Sequence, residues 1–388
     1  MPPRPAVHSL ARAIQGPTLA PVTAPSQSPC RHFTVCGGCV SQDVPSTEYI
    51  AGKRGMVVQA LEKAGVTAEV TEAVPTPPHA RRRAVFKLKS LSEGLHIGFH
   101  AARTHTIVDM HQCDILTPGL FALVGELRRR LEPLFGAGEA AELYVTQCDN
   151  GFDAAFRWKR TLTPNLVTAL ARALSGTGIV RLTLGRETVF ETAAPTVTLG
   201  GVAVTPPPFA FLQPTREGEA ALQARVLALT AKAKSVADLF CGLGTFTFPL
   251  AAKAKVHAVE GEKAMLDALA AAARAAVVVG APASGGRAGG LKPVTTEVRD
   301  LFKHPLTPGE LAAFDAVVLD PPRAGAEAQA RALAASRVRR VAYVSCDAAS
   351  FARDARLLVD AGFTLGPVTP VDQFLFSSHI ELVAGFTR

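Results

Sequence analysis

Cys346 is the residue of this chain best placed by its surroundings to do chemistry. It follows an apolar, valine-rich run over residues 338–345, whose length and β-branching predict a buried parallel strand. Open α/β sheets bind their ligands at the carboxyl ends of such strands. Asp320, which two prolines follow, ends another apolar run, and Glu381 lies near the start of a third. The sequence therefore predicts that a thiol and carboxylates meet at one sheet edge.

A glycine-containing turn further upstream has the features of a nucleoside site. A predicted strand runs into Gly242 and Gly244, whose backbone can lie against a ligand, and the next strand ends at Glu260, where a carboxylate can accept hydrogen bonds from ribose hydroxyls. No further Gly-x-x-Gly spacing follows, which argues against a pyrophosphate cradle. With Asp300 and Asp320 after the third and fourth strands, the pattern favours S-adenosylmethionine. Helix N-capping is the alternative role for Glu260 and Asp300.

A methyl donor beside Cys346 defines a specific reaction. Methylation of carbon 5 of a pyrimidine requires that carbon to be made electron-rich, and thiolate addition at carbon 6 does so by forming an enolate. A base must then remove the carbon-5 proton so that the thiol can leave. Glu381 lies between Ile380 and Leu382, an apolar setting that raises a carboxyl pKa and suits this task. The alternative is a buried structural thiol and a strand-edge charge.

Three cysteines lie close together near the start of the chain. Cys30, Cys36 and Cys39 form a C-x5-C-x2-C run with two glycines that allow a tight backbone. Cys113, among polar residues, is the best candidate for a fourth ligand. Four thiolates suit an iron–sulfur cluster or tetrahedral zinc. A single C-x2-C pair favours the cluster, with zinc and unligated cysteines as the alternatives.

The composition restricts the class of protein. The 388 residues carry a formal net charge of +8 and a pI near 9.3, which favours a polyanionic partner, with nucleic acid first. Apolar runs are too short for a membrane span, and no secretory signal is evident. An odd number of cysteines, seven, does not indicate a disulfide framework. We expect a cytoplasmic monomer that does not bind membranes.

The chain divides into three parts by texture. Residues 1–29 are expected to be a disordered tail. Residues 30–205 hold the cysteine segment and a mixed α/β central domain with an antiparallel sheet, in which a basic strand near residues 79–89 can face a polyanion; a solvated edge strand is the alternative. Three prolines at 206–208 mark a boundary. Residues 206–388 alternate strands and helices, which predicts an α/β fold with a doubly wound, Rossmann-like sheet whose last strand is an antiparallel edge.

These motifs together resemble the RNA uracil-5-methyltransferases that act on ribosomal and transfer RNA, over nearly everything after Pro29. The segments that carry the resemblance are the cysteine run with Gly37-Gly38, Ile97-Gly98-Phe99, Val108-Asp109 before Cys113, Phe211-Leu212-Gln213-Pro214, residues 238–244, Asp320-Pro321-Pro322-Arg323, Ser345-Cys346 and His379-Ile380-Glu381. The resemblance implies S-adenosylmethionine-dependent methylation of a uridine in RNA. It makes ribosomal RNA the favoured partner, with transfer RNA second.

The resemblance also implies roles for individual residues. Cys346 is implied to be the nucleophile and Glu381 the base. With the glycine turn, the residues expected to bind the cofactor are Gln213, Phe240, Gly242, Thr245, Glu260, Asp300 and Asp320. A [4Fe–4S] cluster is implied on Cys30, Cys36, Cys39 and Cys113.

The chain departs from the family pattern in three places. The family usually has Asn at the position of Thr245 and Asn-Pro where this chain has Asp347-Ala348. Many relatives begin with a small β-barrel of the TRAM type, whereas 29 residues precede Cys30. This is similar to the barrel-free branch, in which cluster-bearing members modify 23S ribosomal RNA.

Other functions are compatible with parts of the pattern. Amino-group methyltransferases share Asp-Pro-Pro but have an aromatic residue next, where this chain has Arg323, and they need no thiol. RNA cytosine-5 methyltransferases commonly carry a second cysteine after a strand-end proline, which is missing at residues 320–322. A non-catalytic RNA-binding assembly factor is the alternative outside enzymes.

Overall fold

The computed structural model describes residues 30–279 and 290–388, so the tail expected over residues 1–29 lies outside the described residues. Before residue 206 the elements are α1 Ser46–Lys63, β1 Val74–Pro75, β2 Arg83–Leu91, β3 Gly94–His100, β4 Ile107–Asp109, α2 Pro118–Leu131, β5 Ala140–Cys148, β6 Gly151–Trp158, α3 Pro164–Leu174, β7 Ile179–Leu184, β8 Glu187–Glu191, β9 Val197–Leu199 and β10 Val202–Val204. After it they are α4 Arg216–Leu229, β11 Ser235–Leu239, α5 Thr247–Ala251, β12 Lys255–Glu260, α6 Lys263–Val279, β13 Val294–Val298, α7 Pro308–Leu311, β14 Ala316–Leu319, α8 Glu327–Ala334, β15 Arg340–Ser345, α9 Ala348–Asp360, β16 Thr364–Leu365, β17 Thr369–Asp372 and β18 Glu381–Thr387.

The central sheet has the strand order β4-β3-β2-β5-β6-β7-β8. Its pairs are antiparallel except for β6 with β7. Helices α2 and α3 pack leucines on one face, against Phe86, Leu88 and Phe156 of the sheet. Alternate residues of β2, including Arg83 and Lys87, point to the opposite face of the sheet from α2 and α3. The expected mixed α/β central part with an antiparallel sheet is present, with this one parallel pair.

The second sheet has the strand order β1-β17-β18-β15-β14-β11-β12-β13, with β16 paired to β18. Strands β11 to β15 are parallel, and alternate residues pack on opposite faces: Val318 with the residues of α4 and α5, Leu319 with those of α1, α8 and α9. Burial on both faces explains why these strands read as continuous apolar runs. The doubly wound sheet expected after residue 206 is present.

The last long strand differs from its prediction in one respect. β18 is antiparallel to β15, as expected, but it is not the edge, because β16 and β17 pair with it. β17 in turn pairs with β1, whose Val74 lies opposite Val371.

The first helix and the first strand of the described chain also join the second sheet: α1 packs on one of its faces, and β1 pairs with β17. Val57 and Leu61 of α1 lie in the same core cluster as Phe351 and Leu358 of α9. The chain therefore leaves this sheet after β1, forms the central sheet, and returns to it at α4. Within the described residues, the helices are all too short or too polar to cross a bilayer.

Candidate active site

The carboxyl edge of the second sheet gathers the residues expected to do chemistry. Leu239 of β11 is in register with Val259 of β12 and with Leu319 of β14, so Glu260 and Asp320 follow at the same level. β14 is in turn beside β15, which ends immediately before Cys346.

Glu381 reaches the same edge from the opposite chain direction. β18 runs antiparallel to β15, with Ser345 opposite Leu382, so the first residue of β18 lies level with Cys346. Because β18 is antiparallel, its amino end lies at the carboxyl edge of the parallel strands. The predicted proximity of the strand-end thiol and this carboxylate follows from that register.

The turn after β11 contains residues with positive φ, a backbone conformation that residues other than glycine rarely adopt. Gly244 has φ +97°, and a Cβ there would approach the ring of Phe248 to 2.6 Å. Phe240 adopts φ +61°, an uncommon value for a residue with a side chain, and its ring contacts Phe302 with centroids 5.4 Å apart. The backbone N–H of Gly242 donates to Glu260 Oε2 at 3.0 Å, which ties the turn to the next strand.

Glu260 and Asp300 both accept hydrogen bonds from nearby backbone N–H groups, as expected for the alternative role of helix N-capping. Glu260 Oε1 accepts from the N–H of Glu262 at 2.9 Å, just before α6. Asp300 accepts from the N–H of Phe302 at 3.1 Å and pairs with Lys303, whose side-chain hydrogen bond lowers the pKa of the carboxyl. Asp300 is half-buried, and its predicted contact with a cofactor stays a prediction.

Three carboxyl groups form an acidic cluster beneath the turn: Asp238, Glu260 and Asp320. Burial, together with the charge of Glu260, raises the pKa of Asp238 to about 7. The Thr247 hydroxyl, which donates to Asp238 Oδ2 at 2.5 Å, opposes this rise. Burial first, and then the negative charges of Asp238 and Glu260, raise the pKa of Asp320 to about 7. Such a concentration of negative charge suits a ligand that carries positive charge.

Gln213 joins this cluster to β17. Its side-chain amide donates to Asp320 Oδ2 at 3.4 Å, and its carbonyl oxygen accepts from the amide of Gln373 at 2.6 Å. Both glutamines are buried. Arg82 fixes the loop by donating to the backbone oxygen of Gln213 at 3.2 Å while paired with buried Glu219 at 2.7 Å.

Cys346, Glu381, Asp320 and Arg323 lie within electrostatic reach of one another. Burial first, and then the charges of Glu381 and Asp320, raise the pKa of the Cys346 thiol to about 12, and Arg323 opposes them. Burial raises the pKa of Glu381 well above its usual range, with Asp320 next, while a hydrogen bond from Gln373 and the charge of Arg323 lower it. In the described chain, Glu381 Oε2 has no hydrogen-bond partner. The structure thus brings together the thiol and carboxylate that the sequence singled out.

Arginines and aromatic rings surround this group. A guanidinium nitrogen of Arg323 lies 3.1 Å from His379 Nε2, and the His379 ring packs edge-on against Phe374. The guanidinium of Arg81 lies 6.0 Å from the centre of the Phe374 ring. These cations and rings suit a phosphate-bearing, aromatic substrate.

One departure from the family pattern keeps its local geometry. Asp347 caps α9, its Oδ1 accepting from the N–H of Ser350 at 2.8 Å. Asp and Asn cap helices equally well. Ala348 is the first residue of α9, a position where proline is favoured but not required. At Thr245, the backbone oxygen accepts from Gln223 at 2.9 Å.

The four cysteines predicted as ligands line a single cavity. Cys30, Cys36, Cys39 and Cys113 share it with apolar side chains such as Phe99. Burial first, and then the neighbouring thiols, raise the pKa of Cys39 to about 12; burial likewise raises that of Cys113 to about 11. Among residues 30–279 and 290–388, no group of three His, Cys, Asp or Glu side chains is placed to hold a single metal ion.

Four thiols around one cavity are a donor set that either an iron–sulfur cluster or a tetrahedral zinc ion can use. The cluster predicted on these four cysteines stays a prediction. Of the three other thiols in the described chain, Cys148 and Cys241 are buried in an apolar cluster elsewhere, and the third is Cys346.

The sequence did not single out Lys53 or Gln373, two buried polar residues of this region. It also did not predict that the Asp238 carboxyl is part of the acidic cluster. Gln373 has a weak signal, since the polar pair Asp372-Gln373 interrupts an apolar stretch. Lys53 has none, because a lysine on a helix with mixed polarity reads as exposed.

Comparison with known proteins shows the family of this chain. The family model described as tRNA (Uracil-5-)-methyltransferase matches residues 207–386. An uncharacterized RNA methyltransferase of Rhizobium meliloti is 39% identical, covering 97% of this chain and 95% of the relative. The 23S rRNA (uracil(1939)-C(5))-methyltransferase of Pectobacterium atrosepticum is 30% identical, covering 95% of this chain and 81% of the relative. The chain belongs to the RNA uracil-5-methyltransferase family. It is therefore an S-adenosylmethionine-dependent RNA methyltransferase, and the resemblance in its motifs is confirmed.

A solved structure shares the fold of this methyltransferase. The crystal structure of Pyrococcus abyssi tRNA (uracil-54, C5)-methyltransferase in complex with S-adenosyl-L-homocysteine superposes with a TM-score of 0.67 at 20% identity, covering 89% of this chain and 84% of that one. The predicted α/β class with a Rossmann-like methyltransferase sheet is confirmed.

Proposed function

We propose that this enzyme methylates carbon 5 of one uridine in 23S ribosomal RNA. The observation that carries the proposal is the register that sets Glu381 level with Cys346 at the edge that also holds Asp320. A nucleophile and a proton acceptor are needed together for carbon-5 methylation, whereas amino-group methylation needs neither thiol nor covalent bond. The ribosomal substrate rests on the relative from Pectobacterium atrosepticum.

The cofactor is proposed to lie between the glycine turn and the acidic cluster. S-adenosylmethionine supplies a methyl group made electrophilic by its sulfonium. Gly242 offers close backbone approach, Phe240 and its neighbour Phe302 offer an aromatic wall, and Glu260 accepts from the ribose. Asp320 and Gln213 face the positive part of the ligand, and their mutual hydrogen bond fixes both.

Replacing Glu260 with Gln tests this placement. A charged acceptor contributes about 1.5–3 kcal/mol per hydrogen bond, so KM for S-adenosylmethionine should rise on the order of 10- to 100-fold. The turnover number should change little, because ribose binding is the same before and at the transition state. Glu262→Gln, an exposed neighbour, is the matched control. An unchanged KM would place the ribose elsewhere.

The reaction is proposed to start at Cys346. Its thiol must give its proton to solvent water before it can add to carbon 6, and burial, which raises the pKa of this thiol, opposes that loss. The positive charge of Arg323 favours the thiolate by lowering the pKa of Cys346. Addition forms the sulfur–carbon 6 bond and moves the ring electrons to carbon 5 and oxygen 4. Carbon 5 then takes the methyl group, and the donor sulfur, whose bond to the methyl group breaks, leaves as a neutral thioether.

Glu381 is proposed to complete the reaction. After methyl transfer, carbon 5 still carries its proton, and the sulfur cannot leave until that proton is removed. Glu381 Oε2, which has no other partner in the described chain, is free to accept it. The electron pair of the carbon–hydrogen bond then forms the 5,6 double bond, and the carbon–sulfur bond breaks. A raised pKa suits this acceptor, because the ionised carboxylate is then a stronger base toward the carbon-5 proton.

The RNA is proposed to cross the face of the central sheet opposite α2 and α3, on which Arg83 and Lys87 lie. Arg157 lies over the ring of Tyr144, at 4.7 Å, and over that of Phe209, at 5.3 Å. The guanidinium of Arg83 lies 4.9 Å from the centre of the Phe211 ring. Phe211 has an exposed side chain and lies two residues before Gln213. Alternating cations and rings bind unpaired bases and phosphates. The target base must leave its stack to reach Cys346, which favours a loop or bulge as the substrate.

The cysteine cavity is proposed to hold a [4Fe–4S] cluster on Cys30, Cys36, Cys39 and Cys113. It is proposed to serve the fold, and it takes part in no step of the reaction. Cys39→Ser should lower bound iron and acid-labile sulfide from about four each per chain to well below one. Cys148→Ser, at a buried thiol outside the cavity, should leave both unchanged. One zinc and no sulfide in the anaerobically purified protein would exclude the cluster.

Product analysis tests the proposed function. The protein, labelled S-adenosylmethionine and unmodified 23S ribosomal RNA should give label in 5-methyluridine after digestion to nucleosides. Label in 5-methylcytidine or in a base-methylamino product would favour the rival enzymes, and tight RNA binding without label would favour the assembly factor. Transfer RNA in a parallel reaction separates the two proposed substrates.

A further inference from the structure

Lys53 of α1 is a buried lysine that contacts the segment leading into Glu381. Its side chain is 4% exposed, and its ammonium pairs with Asp372, itself 2% exposed, at 2.9 Å. The same ammonium lies 2.8 Å from the backbone oxygen of Ser377 and 2.5 Å from that of His379. One charged group thus holds both the end of β17 and the residues that enter β18.

Tyr49, one turn earlier on α1, holds the middle of the same segment. Its hydroxyl donates to Asp372 and accepts from the N–H of Phe376 at 2.8 Å. Phe376 has φ +60°, a left-handed backbone that a bulky residue rarely adopts. Such a conformation costs free energy and persists only where its surroundings fix it.

The chain immediately after Cys39 holds Phe376 from the other side. The N–H of Val40 donates to the backbone oxygen of Phe376 at 2.7 Å, and the Ser41 hydroxyl donates to it at 3.2 Å. The segment over residues 374–379 is therefore fixed by groups whose positions in sequence lie more than 300 residues away.

This segment determines two side chains of the site. It carries His379, whose ring contacts Arg323, and it sets the point at which β18 begins with Glu381. A shift of the segment would move the carboxylate relative to Cys346. A displacement of about 1 Å between the carboxylate and the proton it removes is enough to slow proton transfer.

We propose that Lys53 is a positioning residue for Glu381: its ammonium fixes residues 374–379, and the chain after Cys39 completes the hold. The inference rests on the proposed role of Glu381 and adds a residue that touches neither RNA nor cofactor. It also gives the cysteine segment a mechanical task, because Val40 and Ser41 follow the third cysteine of its run.

The test compares Lys53→Met with the double variant Lys53→Met/Asp372→Asn and with Lys63→Met. The single variant leaves a carboxylate buried without its partner, whereas the double variant removes both charges and so keeps the fold. Lys63 is exposed in the last turn of the same helix and serves as the matched control. Hydrogen exchange of residues 374–379 and the lifetime of the covalent enzyme–RNA complex are measured.

Both Lys53 variants should show at least a 10-fold faster exchange of these amides than Lys63→Met. The methylated covalent complex should form within about 3-fold of the normal rate but decay at least 10-fold more slowly, because only proton removal depends on Glu381. Unchanged exchange and decay in the double variant would overturn the proposal, as would equal losses in formation and decay. A wild type that forms no covalent complex would refute the proposed function, while exchange would still decide whether Lys53 holds the segment.

Discussion

Replacing Cys346 with alanine should abolish 5-methyluridine formation, with a loss on the order of 10⁴-fold or more. Without the sulfur there is no bond to carbon 6, and carbon 5 of a uracil is too electron-poor to take a methyl group from a sulfonium. The measurement is single-turnover transfer of labelled methyl into unmodified ribosomal RNA, at saturating S-adenosylmethionine.

The matched control for this variant is Cys148→Ala. Cys148 is also a buried thiol with a pKa raised to about 12, but it packs in an apolar cluster with Val197 and Leu212. Its loss should lower stability slightly and leave methyl transfer near normal. Binding of S-adenosylmethionine to the Cys346→Ala protein should also be kept, because the thiol is not among its proposed contacts. Retained methyl transfer in Cys346→Ala would exclude covalent catalysis.

Replacing Glu381 with glutamine should slow turnover by about 10²- to 10⁴-fold, the usual contribution of a general base. The enzyme should stall after methyl transfer, with methylated RNA still bound to Cys346. Denaturing electrophoresis of a reaction with labelled S-adenosylmethionine should therefore show label at the size of the protein–RNA complex. The wild type should show label in free RNA.

The same variant should not be less stable than the wild type at alkaline pH. Burial raises the pKa of Glu381, so the folded state binds its proton more tightly than the unfolded chain does. Stability from this group is present at low pH and is lost as pH rises through the folded-state pKa. Glutamine has no such loss, so thermal unfolding at pH 8 and pH 5 separates a catalytic defect from a folding defect. Glu62→Gln, exposed on α1, is the control. A free-RNA product at the wild-type rate would assign the base elsewhere.

The site was readable from the sequence because its members end strands. Glu260, Asp320 and Cys346 each follow an apolar run that is buried on both faces, and parallel strands bring their ends to one edge without any knowledge of register. Glu381 needed one more fact, the antiparallel direction of β18, which the pattern suggested and the structure contains.

The surroundings of the site were not readable in the same way. β17 is four residues long with a proline inside, and β1 has two residues, so neither produces a periodic signal. Helix α1 packs on α9, a contact that the sequence of α1 does not show. Lys53 and Gln373 depend on these contacts. Pairings between distant parts of the chain, fixed only by the folded core, cannot be read from local pattern.

The central claim is a temporary bond between Cys346 and carbon 6 of the target uridine. It is tested most directly with ribosomal RNA containing 5-fluorouridine, in which the proton that the base should remove is replaced by fluorine. The account predicts a stable complex that forms only with S-adenosylmethionine present, and whose tryptic peptide carries the methylated fluorouridine on Cys346. Full methylation activity on ordinary RNA with no such complex, or a complex on another residue, would contradict it.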